Sequence, residues 1–99
     1  MKIDAHQHFW DLSKPEFDYS WTETDSNRAI NKTCLPETLK PYLDATGVDK
    51  CIFVQTQHNI AENRWALDLA EQNNWIVGIV GWIDLTSKDC ESQLDEFKD

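Results

Sequence analysis

Cys51-Ile52-Phe53-Val54-Gln55-Thr56 is apolar for four residues and turns polar over the last two. A short run that is apolar at successive positions predicts a strand over 51–56 with cover on both faces. From Ile60 to Asn73 the period changes. Ala61, Trp65, Ala66, Leu69 and Ala70 form one stripe, while Glu62, Arg64, Asp68 and Glu71 mostly lie off it, which predicts an amphipathic helix over 60–73. Trp75-Ile76-Val77-Gly78-Ile79-Val80-Gly81-Trp82-Ile83 then reads as a second two-face strand over 76–84, finishing at Asp84. On the N-terminal side, Pro36 suits a first helical position, and Leu35, Leu39, Tyr42 and Leu43 share one face. Gly47 suits a left-handed cap, so a helix is expected over 36–46, with Pro41 either kinking it or restarting it. Thr86 or Ser87 is expected to cap a last helix over 88–97, with Cys90, Leu94 and Phe97 on its inner face. Ile3 to Phe9 alternates as a strand over 3–9, with Asp4, His6 and His8 on one side. Between it and the first helix runs a polar loop, 11–33, that carries Phe17, Tyr19 and Trp21. The order is β-loop-α-β-α-β-α, which means an α/β fold with a parallel sheet and right-handed crossovers.

Composition narrows the function. The chain has 99 residues, one domain or less, and its 40% hydrophobic and 11% aromatic content is not that of a disordered tail. Lys and Arg total 9 against 18 Asp and Glu, and 9 − 18 = −9. Such a field repels phosphate backbones and anionic lipid, which disfavours a nucleic-acid or membrane partner. The acidic stretch from Asp89 to Asp99 reads as a solvated helix face. The first residues lack the apolar core of a signal peptide, and the longest apolar run is too short to span a bilayer. Cys34, Cys51 and Cys90 have neither zinc-site spacing nor disulfide density, so reduced thiols and a cytoplasmic location are expected.

In parallel α/β folds functional groups gather at the C-terminal ends of strands. The first strand ends in His6-Gln7-His8. Two positions apart on a strand, both imidazoles point to one side and can converge on one divalent ion, with Asp4 placed to orient a ring. Gln55, at the second strand end, either contacts a substrate oxygen or satisfies loop backbone. Asp84, at the third, is either a site carboxylate or the cap of the Leu85-Thr86-Ser87 turn, and the cap is favoured. Trp82 either stacks on a sugar face or packs as core. His58 either lines the site or is solvated, and Tyr19 and Trp21 can form a lid over the first strand end.

Taken together, these residues resemble the amidohydrolase superfamily, in particular its L-fuconolactonase and L-rhamnonolactonase-like branch. The resemblance rests on Ile3-Asp4-Ala5-His6-Gln7-His8-Phe9-Trp10-Asp11 and continues through Tyr19-Ser20-Trp21, Leu35-Pro36-Glu37, Ala45-Thr46-Gly47-Val48-Asp49, Val54-Gln55, Glu62-Asn63-Arg64-Trp65 and Val80-Gly81-Trp82-Ile83-Asp84-Leu85. It implies a TIM-type (β/α)8 barrel, of which this chain over 1–99 is the N-terminal three βα units and so incomplete. It implies hydrolysis of a small-molecule sugar lactone to its acid. His6 and His8 would bind a divalent metal, with zinc favoured, or, in metal-independent members, the lactone carbonyl oxygen. His6, His8, Gln55, Trp82, Asp84 and Trp21 are the expected substrate-binding residues. The family's general base falls beyond Asp99, so no catalytic residue is assigned.

A barrel of this kind needs about 250 residues. Three strands alone leave open sheet edges, and the expectation for the isolated chain is poor folding or self-association. A size-exclusion profile whose apparent mass rises with concentration is the expected result, and a clean monomer with a sharp cooperative melt contradicts it. Two other functions remain open: a catalytically inactive truncated isoform or interaction fragment, and another HxH metal-dependent hydrolase acting on phosphoesters.

Overall fold

The structure is a computed structural model that describes residues 1–98. Three strands, β1 (Ile3–Gln7), β2 (Lys50–Val54) and β3 (Ile76–Val80), alternate with helices α1 (Pro36–Thr46), α2 (Ile60–Gln72) and α3 (Cys90–Phe97). The strands form one parallel sheet in the order β1-β2-β3. This is the parallel α/β arrangement read from the sequence.

Each element has a local cause. Gly47 adopts φ 75°, and its N–H and that of Val48 return to carbonyls of the last turn, ending α1 as a left-handed cap. α1 runs through Pro41 as a single helix, neither restarted nor divided there. Asn59 caps α2 by accepting a hydrogen bond from Ala61 N. α3 starts at Cys90, and neither Thr86 nor Ser87 caps it. Ser87 Oγ instead accepts from Asp89 N at 3.1 Å in the turn before it.

The strands stop earlier than their apolar runs suggested, because apolar character does not end where the ladder does. β1 ends at Gln7 rather than at Phe9, and β3 ends at Val80 rather than at Asp84. The 11–33 segment contains two short 3-10 helices, Ser20–Glu23 and Asp25–Ile30. Its ends are tied by an antiparallel bridge, Trp10 N to Cys34 O at 2.9 Å and Cys34 N to Trp10 O at 2.8 Å.

The core lies between the sheet and the helices. Phe9, Leu43, Cys51, Phe53, Ala66, Trp75 and Ile76 are buried together, with Leu39, Trp65 and Leu69 packed against them. A second cluster holds Trp10, Phe17 and Tyr19 from the long loop, and Trp65 belongs to the margins of both. Burial pushes the Cys51 thiol up to about 11, which marks it as an inert apolar filler.

Only one face of the sheet is covered. Cys51 and Phe53 are fully buried, while Ile52 and Val54, which alternate with them, are half-buried, and Val80 is 53% exposed. The expectation of cover on both faces is met on one face only among the described residues; on the other, Ile52 and Val54 are partly covered and Val80 is exposed. The molecule is accordingly a slab of 45 × 36 × 19 Å. The inner face expected for α3 is also not buried, and Leu94 is exposed. α3 is tethered to α2 by a bidentate pair, Arg64 to Glu96 at 2.8 and 3.1 Å.

Candidate active site at the strand ends

The two histidines of β1 converge. His6 Nε2 and His8 Nε2 lie 3.2 Å apart, with their rings edge to face. His8 Nδ1 is 2.8 Å from the carbonyl oxygen of Val54, the last residue of β2. A carbonyl can only accept, so His8 Nδ1 carries the proton and Nε2 presents its lone pair outward. His6 Nε2–H then donates to that lone pair. The same two nitrogens suit an ion in place of the shared proton. Two nitrogens bound tetrahedrally to zinc at ~2.0–2.1 Å stand about 3.3–3.4 Å apart. The observed 3.2 Å separation is close to that spacing, which makes His6 and His8 the candidate pair for a divalent metal. Among the described residues no cluster of three or more His, Cys, Asp or Glu side chains is placed to bind a metal.

Asp4 does not take the ring-orienting place expected of it. Its backbone pairs with buried Cys51, whereas Gln7 pairs with Phe53, so two residues of β1, Ala5 and His6, stand opposite one of β2, Ile52. The irregularity removes Asp4 from the side that carries the imidazoles. Its carboxylate accepts from His6 N at 3.0 Å and Gln7 Nε2 at 2.5 Å, supporting the backbone of the motif rather than a ring. The ring-orienting partner is the Val54 carbonyl, which a sequence pattern cannot show because every residue has one.

The other expected residues fall into separate groups. Trp21 lies edge-on to Trp10 with ring centres 5.5 Å apart, and Trp10 stacks near His8 at 6.3 Å. Tyr19 is buried in the loop cluster, where it is part of the core rather than a lid. Trp82 is half-buried and stacks on His58 at 5.7 Å, joining the loops after β2 and β3. Gln55 N continues the β2–β3 ladder by donating to Val80 O at 2.8 Å. The Asp84 carboxylate accepts from Thr86 N at 2.9 Å and Thr86 Oγ1 at 2.6 Å. Those bonds hold its carboxyl below the usual carboxylate range, and it acts as the turn cap.

Three residues organise these ends and were not singled out from the sequence. Glu62 lies off the apolar stripe of α2, yet it is 1% exposed. Its carboxylate accepts from Thr56 N at 3.0 Å, Thr56 Oγ1 at 2.7 Å and Gln57 N at 3.2 Å. Asn63 is buried beside it and grips Trp82 from both sides: Nδ2 donates to Trp82 O at 2.7 Å, and Oδ1 accepts from Trp82 N at 3.0 Å. Gln57 does the same to Asp18. The available signal was a carboxylate and a carboxamide in the first turn of a helix that follows a strand end.

Gly81 is required by the Asn63 grip. A Cβ at residue 81 would stand 2.6 Å from Asn63 Oδ1. Because that oxygen is held by Trp82 N, it cannot yield without losing a bond. Gly81→Ala is expected to destabilise the fold by about 2 kcal/mol, read from urea unfolding. Gly78→Ala is the control, since its nearest neighbour would be Ile52 at an ordinary 3.5 Å.

Known proteins are similar to this chain in sequence and fold. No family model matches the chain. An L-fucono-1,5-lactonase of Burkholderia ambifaria is 33% identical over 94% of this chain and 31% of its own length. An L-fucono-1,5-lactonase of Burkholderia multivorans is 30% identical over 99% of this chain and 32% of its own length. Among solved structures, a zinc-bound amidohydrolase from Burkholderia multivorans superposes with a TM-score of 0.84 at 29% identity, over 98% of this chain and 33% of that one. An amidohydrolase from the same species with bound HEPES superposes with a TM-score of 0.86 at 30% identity, covering 99% of this chain and 33% of that one. The chain thus spans about a third of the length of the relatives it matches. In sequence and fold this stretch is similar to about a third of these lactonases and amidohydrolases, as three parallel βα units of the kind that build a TIM-type barrel.

Proposed function

We propose that this chain carries part of the active site of a hydrolase that opens a carbohydrate lactone to its acid, with water attacking the ester carbonyl. The observation that carries this reading is the pair of Nε2 atoms 3.2 Å apart at the end of β1, with the second ring fixed by Val54 O. The similarity to L-fucono-1,5-lactonases supports the substrate class.

His6 and His8 hold a divalent ion in this reading, and zinc suits a donor set of two imidazoles. The ion, when bound, supplies Lewis-acid polarisation of the lactone carbonyl. Without it, His6 Nε2–H is a donor that can be turned to the carbonyl oxygen, the place where negative charge develops. The Val54 carbonyl keeps His8 in one tautomer throughout. Trp21 and Trp82 offer aromatic faces to the sugar ring, and Gln55 a carboxamide to a ring or hydroxyl oxygen. Asp84, engaged with Thr86, shapes the third strand end rather than activating water. No general base is assigned among the described residues. Among the described residues no helix is long and apolar enough to cross a membrane, and the three free cysteines fit a reducing, cytoplasmic setting.

The test is acid release from L-fucono-1,5-lactone and from a phosphomonoester by the longest gene product that contains this sequence. Lactone turnover that falls by about 100-fold or more in His6→Ala is the expected result. A preference for the phosphomonoester, or lactone turnover indifferent to His6, overturns the reading.

A further inference from the structure

Gln57 follows β2 and is 5% exposed. Both ends of its carboxamide bond to one residue of the long loop. Oε1 accepts from Asp18 N at 2.8 Å, and Nε2 donates to Asp18 O at 2.8 Å. This is the pattern of a strand bridge, made by a side chain to a residue 39 positions earlier. Gln57 is itself held, since its N–H donates to buried Glu62. Asn59 Nδ2 adds a bond to Glu16 O at 3.1 Å. Asp18 leads directly into the turn Ser20–Glu23 that carries Trp21. Trp21, Glu16, Asp18, Thr56 and His58 line a cleft of about 370 Å³ at the end of β2.

We propose that Gln57 is a positioning residue: it locks the loop onto the end of β2 so that Trp21 forms a fixed wall of this cleft. Calling the cleft substrate-facing rests on the lactonase reading, whereas the lock itself does not. A loop that opened on every turnover would break two bonds to a buried carboxamide at once and leave it unpaired, which opposes opening. The wall therefore sets the shape of the cleft before any ligand arrives.

Amide hydrogen exchange on the longest gene product that contains this sequence tests this, together with acrylamide quenching of Trp21 assigned by difference against Trp21→Phe. In the wild type, the Asp18 amide should exchange at least about tenfold more slowly than its unstructured rate. An unprotected Asp18 amide overturns the proposal without any variant. Gln57→Met keeps the bulk and removes both bonds. It should speed exchange across 16–31 by about tenfold and make Trp21 more quenchable, with β2 and β3 changed less than about twofold. Gln57→Glu keeps the acceptor for Asp18 N and loses the donor, so it should fall between the two. Uniform acceleration across all strands in Gln57→Met, or wild-type exchange at 16–31 in both variants, overturns it. None of these readouts uses lactone turnover, so failure of the lactonase reading leaves the result interpretable.

Discussion

His8→Ala is expected to weaken zinc binding by about 100-fold or more, measured by calorimetric titration of the full chain and by the visible absorption of bound cobalt. The reason is geometric. One imidazole alone is a weak, mobile ligand, and the site depends on two nitrogens 3.2 Å apart. His8 also brings the pre-orientation given by Val54 O, so its loss removes a ligand and the anchor together. His6→Ala removes a ligand only and should cost somewhat less. A Gln7→Ala control retains both imidazoles and should bind within a few-fold of wild type. Zinc affinity unchanged in His8→Ala would show that the convergence serves packing rather than an ion.

Glu62→Leu is expected to destabilise the fold by about 3–4 kcal/mol, seen as a lower urea midpoint by tryptophan fluorescence. The side chain is 1% exposed and receives three hydrogen bonds from Thr56 and Gln57. Leucine fills similar space but leaves those donors unpaired in the interior. Glu62→Gln retains one acceptor oxygen and turns an amide toward donors, so a loss of about 1–2 kcal/mol is expected. A change below about 1 kcal/mol for Glu62→Leu would mean that water reaches Thr56 and Gln57 after all. Gln57 is anchored by this same carboxylate, so the variant should also loosen the long loop.

The legible features were those with a period or a spacing. The stripe of Ala61, Trp65, Ala66 and Leu69, the stop at Gly47 and the apolar runs at 51–54 and 76–80 all translate directly into local backbone preference. The HxH pair was legible for the same reason, since alternation on a strand places positions 6 and 8 together. Asp4 shows where that logic fails. Strict alternation puts it beside the histidines, but the irregular pairing between Asp4 and Gln7 shifts it to the Cys51 side. The burial of Glu62 was not legible because helical periodicity reports only the stripe that faces the sheet. It does not report a carboxylate that reaches past its own first turn to loop N–H groups.

The sequence by itself determined the alternation of parallel strands and helices, the pair of imidazoles at the first strand end and the likeness to sugar-lactone hydrolases. These follow from side-chain polarity and backbone preference acting over a few neighbouring residues. Only the tertiary structure decided which groups serve those imidazoles and hold the strand ends. The Val54 carbonyl, the Asn63 grip on Trp82 and the Gln57 bridge to Asp18 each join residues 19 to 46 positions apart. One partner in each of these bonds is a backbone group, which every residue possesses. Their pairing depends on where the chain returns in space, and no one-dimensional pattern encodes that return.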